Sequence, residues 1–223
     1  MRTFLSAIQL YGENSKWRFD WIVPFYNSRI LVYGSIAELS AYWVLANYLI
    51  EQEGGILIGI GDYHNGPLFD LNLLAEYIFS LNGDPLDVFE SLLVGVAYNF
   101  EQLEKLIENT SSLKPTMIVL LNVDRLCNKV ADFSILNNLI SRFFNRNLAP
   151  IIITSSTNVK SKRYPPEPNV SHYIRHLCDV IAFIKPTRYK NIAKFFITKH
   201  PYLPYSIEYL RLGGLYGSEY SLY

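Results

Sequence analysis

Gly34, Leu39, Ser40 and Ala41 stand at the spacing with which a chain grips phosphate. A phosphate loop reads G-x-x-x-x-G-K-[ST], between a strand and a helix. Its second glycine admits the backbone, its lysine holds the outer phosphates and its hydroxyl meets Mg²⁺. The frame is present: Ile30 to Tyr33 is an apolar strand, Gly34 opens a turn, and Ala41 to Gln52 reads as a helix. The chemistry is missing. Counted from Gly34, the second glycine is Leu39, the lysine is Ser40 and the hydroxyl is Ala41. Glu38 adds a negative charge, which about 4 Å from a phosphate would repel it by about 4 kcal/mol at an effective dielectric near 20. Gly34, Leu39, Ser40, Ala41 and Asp124 are therefore read as degenerate nucleotide-binding positions, and no cofactor is expected.

Other residues carry weaker chemical signals. Asp124 ends the apolar run Thr116 to Val123, where an aspartate can order a metal-bound water. Without a loop lysine it is expected to cap or hydrogen-bond locally. Asp62, at the end of Ile56 to Ile60, is either a general base or a polar turn residue. His172 and His176 are four apart and can share a helix face, but a metal site needs a third ligand, so none is assigned. Cys127 and Cys178 are far apart and sit in no metal-type spacing, which predicts reduced, buried thiols. Lys160, Lys162, Arg163 and Tyr164 put cations beside an aromatic ring, a combination suited to the phosphates and bases of a single strand.

The elements that must position these residues follow from pattern. Ile56 to Ile60, Thr116 to Val123 and Pro150 to Thr154 are short apolar runs of the kind found in buried strands, and Leu92 to Val96 reads as a further short strand. Between them Leu71 to Leu81, Phe100 to Asn109 and Phe133 to Asn145 carry helical spacing, and Asn99 is placed to cap the second. Alternation of this kind predicts an α/β domain with a largely parallel central sheet flanked by helices. The stretch from Ser155 to Asn169 is a polar, basic, proline-rich loop long enough to expect a function or mobility. Beyond it, Val180 to Lys185, Lys194 to Lys199 and Ile207 to Leu212 are closely spaced strands, predicting an antiparallel C-terminal extension.

Composition bounds the rest. The 223 residues are half hydrophobic and 18% charged, enough for one domain with a substantial core. Twenty basic and twenty acidic residues give no net push toward nucleic acid. The start of the chain lacks an apolar signal region, and Ala41 to Ile50 is far too short to span a bilayer, so a cytoplasmic protein without a membrane partner is expected.

In order and spacing the segments resemble the ATPase core of the RecA/RadA recombinase family, most closely an archaeal RadA paralogue with a degenerate Walker A motif. Ile118 to Leu126 (IVLLNVDRL) is similar to the Walker B strand, with Asp124 at the aspartate. Leu148 to Val159 looks like the strand ending in Thr-Asn-Gln, keeping Thr154 but replacing the amide pair with Ser155 and Ser156. Ser91 to Asn99 is similar to the strand ending in Arg-Ala-Tyr-Asn, without its arginine. In Lys199 to Gly217, Pro201, Leu203, Pro204, Glu208 and Gly214 match the family's C-terminal segment.

The resemblance covers about residues 29–217. It implies an N-terminal lead-in (1–28) and a single RecA-like core (29–223). It also implies DNA contacts from Lys160, Lys162, Arg163 and Tyr164. Phe4 and Ala7 match the F-x-x-A pattern by which members hook onto a neighbouring subunit. The expected role is a non-catalytic paralogue. It would bind RadA or another paralogue and modulate its action on single-stranded DNA in recombination and repair. Two alternatives stay open: an ATPase using Asp124 and Asp62 in an atypical site, and a RecA-fold regulatory or structural subunit with no DNA role.

Overall fold

A computed structural model describes residues 27–61, 69–189 and 192–211. Among the described residues eight strands form one sheet in the order β3-β2-β4-β5-β1-β6-β7-β8. They are β1 (Arg29–Tyr33), β2 (Gly55–Ile60), β3 (Leu93–Ala97), β4 (Met117–Leu121), β5 (Ile151–Ser155), β6 (Val180–Pro186), β7 (Ile192–Lys199) and β8 (Ser206–Arg211). The first six in chain order pair in parallel. β7 runs antiparallel to β6 and β8 antiparallel to β7, as the short connections predicted.

Among the described residues six α-helices cover the sheet: α1 (Ala37–Glu51), α2 (Leu71–Ser80), α3 (Pro85–Ser91), α4 (Phe100–Leu113), α5 (Val130–Arg146) and α6 (His172–Leu177). Two cores result, because successive residues of a strand point to opposite faces. Ile30, Val32, Leu57, Val119 and Ile152 pack under α1, α2 and α3. Leu31, Ile58, Leu120, Ile153 and Phe183 face α4, α5 and α6. Strands β2, β4 and β5 are buried throughout, which is why they read as unbroken apolar runs.

Local chemistry accounts for most boundaries. The Asn99 side chain accepts from the Gln102 N–H at 2.9 Å and starts α4 where expected. The short α3 was not predicted, although Asp84 accepting from the Leu86 N–H, with Pro85 at the first helical position, is a start signal. The largest correction concerns α1, which begins at Ala37 rather than Ala41. Ala37, Glu38 and Leu39 are good helix formers, and no glycine at 39 holds the chain open. Arg29 ties three segments together. Its guanidinium donates to the carbonyls of Asn27, Ala149, Phe144 and Asn147 at 2.5 to 3.1 Å, and its N–H donates to Asp179.

Candidate functional site

The helix after β1 lies on one face of the sheet, and the helices after β3 and β4 lie on the other. The carboxyl ends of β1, β4 and β5 therefore flank a topological switch point, where open α/β sheets form their binding crevices. Gly34, Asn122, Asp124 and Ser156 all stand there.

The β1–α1 turn is only three residues long, Gly34 to Ile36. Gly34 has φ +128°, and its N–H donates to the Ser155 carbonyl at 3.2 Å. A Cβ built on Gly34 would lie 2.0 Å from the Ile184 carbonyl oxygen. This glycine thus admits the neighbouring strand. Ile36 and Ala37 are 4% exposed and fill the space behind the turn. Ser40 is fully buried, and its hydroxyl donates to the Ala37 carbonyl at 2.8 Å, inside the helix. Leu39 packs against the α1-side core, and Ala41 lies within it. The helix has no side-chain cap at its start.

Asp124 is 7% exposed, and three donors hold it. One carboxylate oxygen accepts from the Ser156 N–H at 3.1 Å. The other accepts from the Ser156 hydroxyl at 2.6 Å and the Asn169 amide at 3.0 Å. The local hydrogen bonding expected of it is therefore present. Thr154 Oγ1 accepts from the Asn122 N–H at 2.8 Å, closing the space between β4 and β5. Burial raises the Glu38 carboxyl above its ordinary range, opposed by the Asn122 side chain and by Arg125. The Tyr42 hydroxyl, also raised by burial, accepts from the Asp70 N–H at 2.7 Å. Asp62, the other acidic candidate, lies outside the described residues, as do Phe4 and Ala7.

The basic, proline-rich loop is folded back on itself rather than extended. Thr157 bridges Pro168, the Asn158 N–H donates to the Glu167 carbonyl, and the Asn169 N–H donates to that of Ser156. Glu167 pairs with both Arg163 and Arg175, at 3.3 and 3.4 Å. Tyr164 is 65% exposed, and its ring meets Phe196 edge-on at 5.3 Å. Lys160, Lys162 and Arg163 are exposed beside it. Arg163 and Tyr164 thus join one site, the wall of a cleft of about 470 Å³ between this loop, α6 and β7. Tyr33, Arg175, Thr198 and Lys199 line the same cleft. Sequence reading missed these four because they come from three distant segments. The Lys199 ammonium is already committed, donating to the carbonyls of Arg175, His176 and Cys178 at the end of α6.

His172 and His176 share a face of α6, as their spacing predicts, with their Nε2 atoms 2.6 Å apart. Among the described residues no group of three or more side chains could hold a metal ion. Both cysteines are free, and burial pushes each thiol up to about 12. No helix among the described residues is long and apolar enough to cross a membrane.

No protein-family model matches the sequence, and no curated protein matches it. Solved structures do. A crystal structure titled as that of the RadB recombinase superposes with a TM-score of 0.66 and 13% identity, covering 86% of this chain and 92% of that one. The α/β sheet with its antiparallel C-terminal strands is thus the fold of a RecA-like core.

Proposed function

We propose that the chain is a non-catalytic paralogue of the RecA/RadA recombinases, archaeal in type. In this reading it binds RadA or another paralogue and modulates its action on single-stranded DNA in recombinational repair. The likeness to a RadB recombinase supports the scaffold of this reading. One observation supports the rest: the turn between β1 and α1 is short, and the polar side chains beside it are paired within the protein. The turn spans three residues, Gly34 abuts Ile184, Ser40 turns its hydroxyl into α1, and Asp124 is held by Ser156 and Asn169. These residues do not fit a Mg²⁺-bound nucleoside triphosphate. Ser40 supplies no cation, and Glu38 brings a carboxyl that burial already disfavours as an anion.

A partner surface fits this reading as well. Among the described residues β3 ends the sheet. Phe79 and Leu86 are each 75% exposed, with Leu93 and Val94 following on the strand at 51% and 41%. An exposed, apolar edge strand is a template for pairing with another chain. Lys160, Lys162, Arg163 and Tyr164 would meet DNA from the opposite half of the sheet.

Capture of a purified RadA-type recombinase by the full chain, without nucleic acid, tests the partner. Val94→Asp should abolish capture while leaving the thermal midpoint of the chain nearly unchanged. Titration with Mg-ATP tests the closed turn, and saturable binding lost in Asp124→Ala would overturn the non-catalytic reading.

A further inference from the structure

The cleft between the basic loop, α6 and β7 carries an excess of positive charge that neither the β1–α1 turn nor the β3 edge uses. Arg163, Arg175 and Lys199 line it against one carboxylate, Glu167. That carboxylate is shared, one oxygen lying 3.3 Å from Arg163 and the other 3.4 Å from Arg175. Both separations exceed the roughly 2.7–2.9 Å of a well-made charged hydrogen bond. Arg175 is thus held loosely for a side chain only 25% exposed, and its Nε is buried with no hydrogen-bond partner. A guanidinium has five donors to satisfy, and a buried donor left unmade is destabilising.

The other walls complete a small-molecule site. Tyr33, 2% exposed, lies at the bottom, at the carboxyl end of β1. Burial raises its hydroxyl far above the ordinary range, against the pull of the Arg175 charge and the Thr198 side chain. The hydroxyl therefore stays protonated and can donate. Lys199 donates to the carbonyls that end α6, which fixes its positive charge at the cleft margin. Tyr164, Pro165, Pro166 and Pro168 supply apolar surface from the loop. Phe196 braces that wall, meeting the Tyr164 ring edge-on. A cleft of about 470 Å³ falls within the roughly 300–1,000 Å³ of pockets that combine apolar walls with a few placed polar groups. It is separate from the degenerate phosphate turn. Tyr33 and Phe183 belong to the core under α4, α5 and α6, whereas α1 packs on the other face of the sheet.

We propose that this cleft binds a small organic oxyanion, a carboxylate or phosphomonoester on a compact apolar body. Arg175 clasps the anion, the Tyr33 hydroxyl donates to it, and Tyr164 with its neighbouring prolines covers the body. The arginine fork matches two oxygens of either group, so one site serves both chemistries. Lys160 and Lys162 are not among the lining residues. The site is thus distinct from the loop's reading as a DNA contact, and it does not rest on a recombinase partner.

Isothermal titration of the full chain with phenyl phosphate, phenylacetate, inorganic phosphate and benzyl alcohol tests it. Saturable one-to-one binding of phenyl phosphate or phenylacetate is expected, with inorganic phosphate weaker and benzyl alcohol silent. The tighter of the two organic anions names the chemistry of the natural ligand, and either supports the site. Arg175→Lys, which keeps the charge but loses the fork, should weaken binding roughly tenfold, and Tyr33→Phe about fivefold. Tyr164→Ala should weaken phenyl phosphate while leaving inorganic phosphate unchanged. Circular dichroism establishes that each variant folds. Four results would overturn the proposal: no saturable binding of either organic anion by the wild type, benzyl alcohol bound as tightly, affinity unchanged in both Arg175→Lys and Tyr33→Phe, or displacement of the bound anion by oligothymidine. The last would return the cleft to a nucleic-acid surface. Recombinase capture and titration with Mg-ATP have their own readouts, so a failure here leaves them standing.

Discussion

Asp124 and Ser156 are joined twice, the backbone N–H reaching one carboxylate oxygen at 3.1 Å and the hydroxyl reaching the other at 2.6 Å. The carboxylate thus fastens the end of β4 to the start of the loop after β5, with Asn169 as a third donor. Asp124→Ala would leave those donors without their acceptor in a buried place. The expected loss of stability is about 2–3 kcal/mol, measured by urea denaturation. Asp124→Asn, which keeps an acceptor oxygen, should lose less. A role confined to metal binding would instead leave stability untouched.

Gly34→Ala should be at least as damaging. A Cβ there meets the Ile184 carbonyl oxygen, and the φ of +128° is one that L side chains rarely adopt. Strain and clash together should cost more than about 2 kcal/mol. A drop of several degrees in thermal midpoint, or insoluble expression, is the outcome to look for.

The Glu38 carboxyl makes stability depend on pH in a stated direction. Burial raises its folded pKa above the ordinary 4.5. Between those two values the folded chain holds the proton more tightly than the unfolded one, so stability falls as pH rises through the window. Above it the full cost of the buried charge remains. Glu38→Gln should therefore stabilise the chain at neutral pH and change little below the ordinary value. Denaturation midpoints of the two proteins compared across pH would show convergence on the acid side. The opposite trend would mean that Arg125 and Asn122 outweigh burial.

Arg29 answers four carbonyls, two of them, Phe144 and Asn147, at the end of α5. Arg29→Ala should cost about 2–3 kcal/mol, because those oxygens lose a charged donor. Arg29→Lys should recover only part of it, since one ammonium cannot span the fork. Amide exchange at the C-terminal end of α5 would report the loosening directly.

What the sequence determined by itself was the layered plan. The apolar runs from Ile56, Thr116 and Pro150 became β2, β4 and β5, because strands buried on both faces leave no room for polar alternation. The altered residues at Leu39, Ser40 and Ala41 were also legible, since spacing along one short segment is local information. Tertiary structure alone decided how the turn was filled. Nothing near Gly34 in the chain announces the Ile184 carbonyl, which arrives on a strand some 150 residues later. The same holds for the basic loop, which is clamped by Glu167 and packed on Phe196. It holds most of all for the cleft that Tyr33, Arg175 and Thr198 share, which exists only because β7 turns back antiparallel beside β6. A strand's own residues fix which side each side chain takes. Its register with neighbours, set by long-range pairing, fixes which side chains meet.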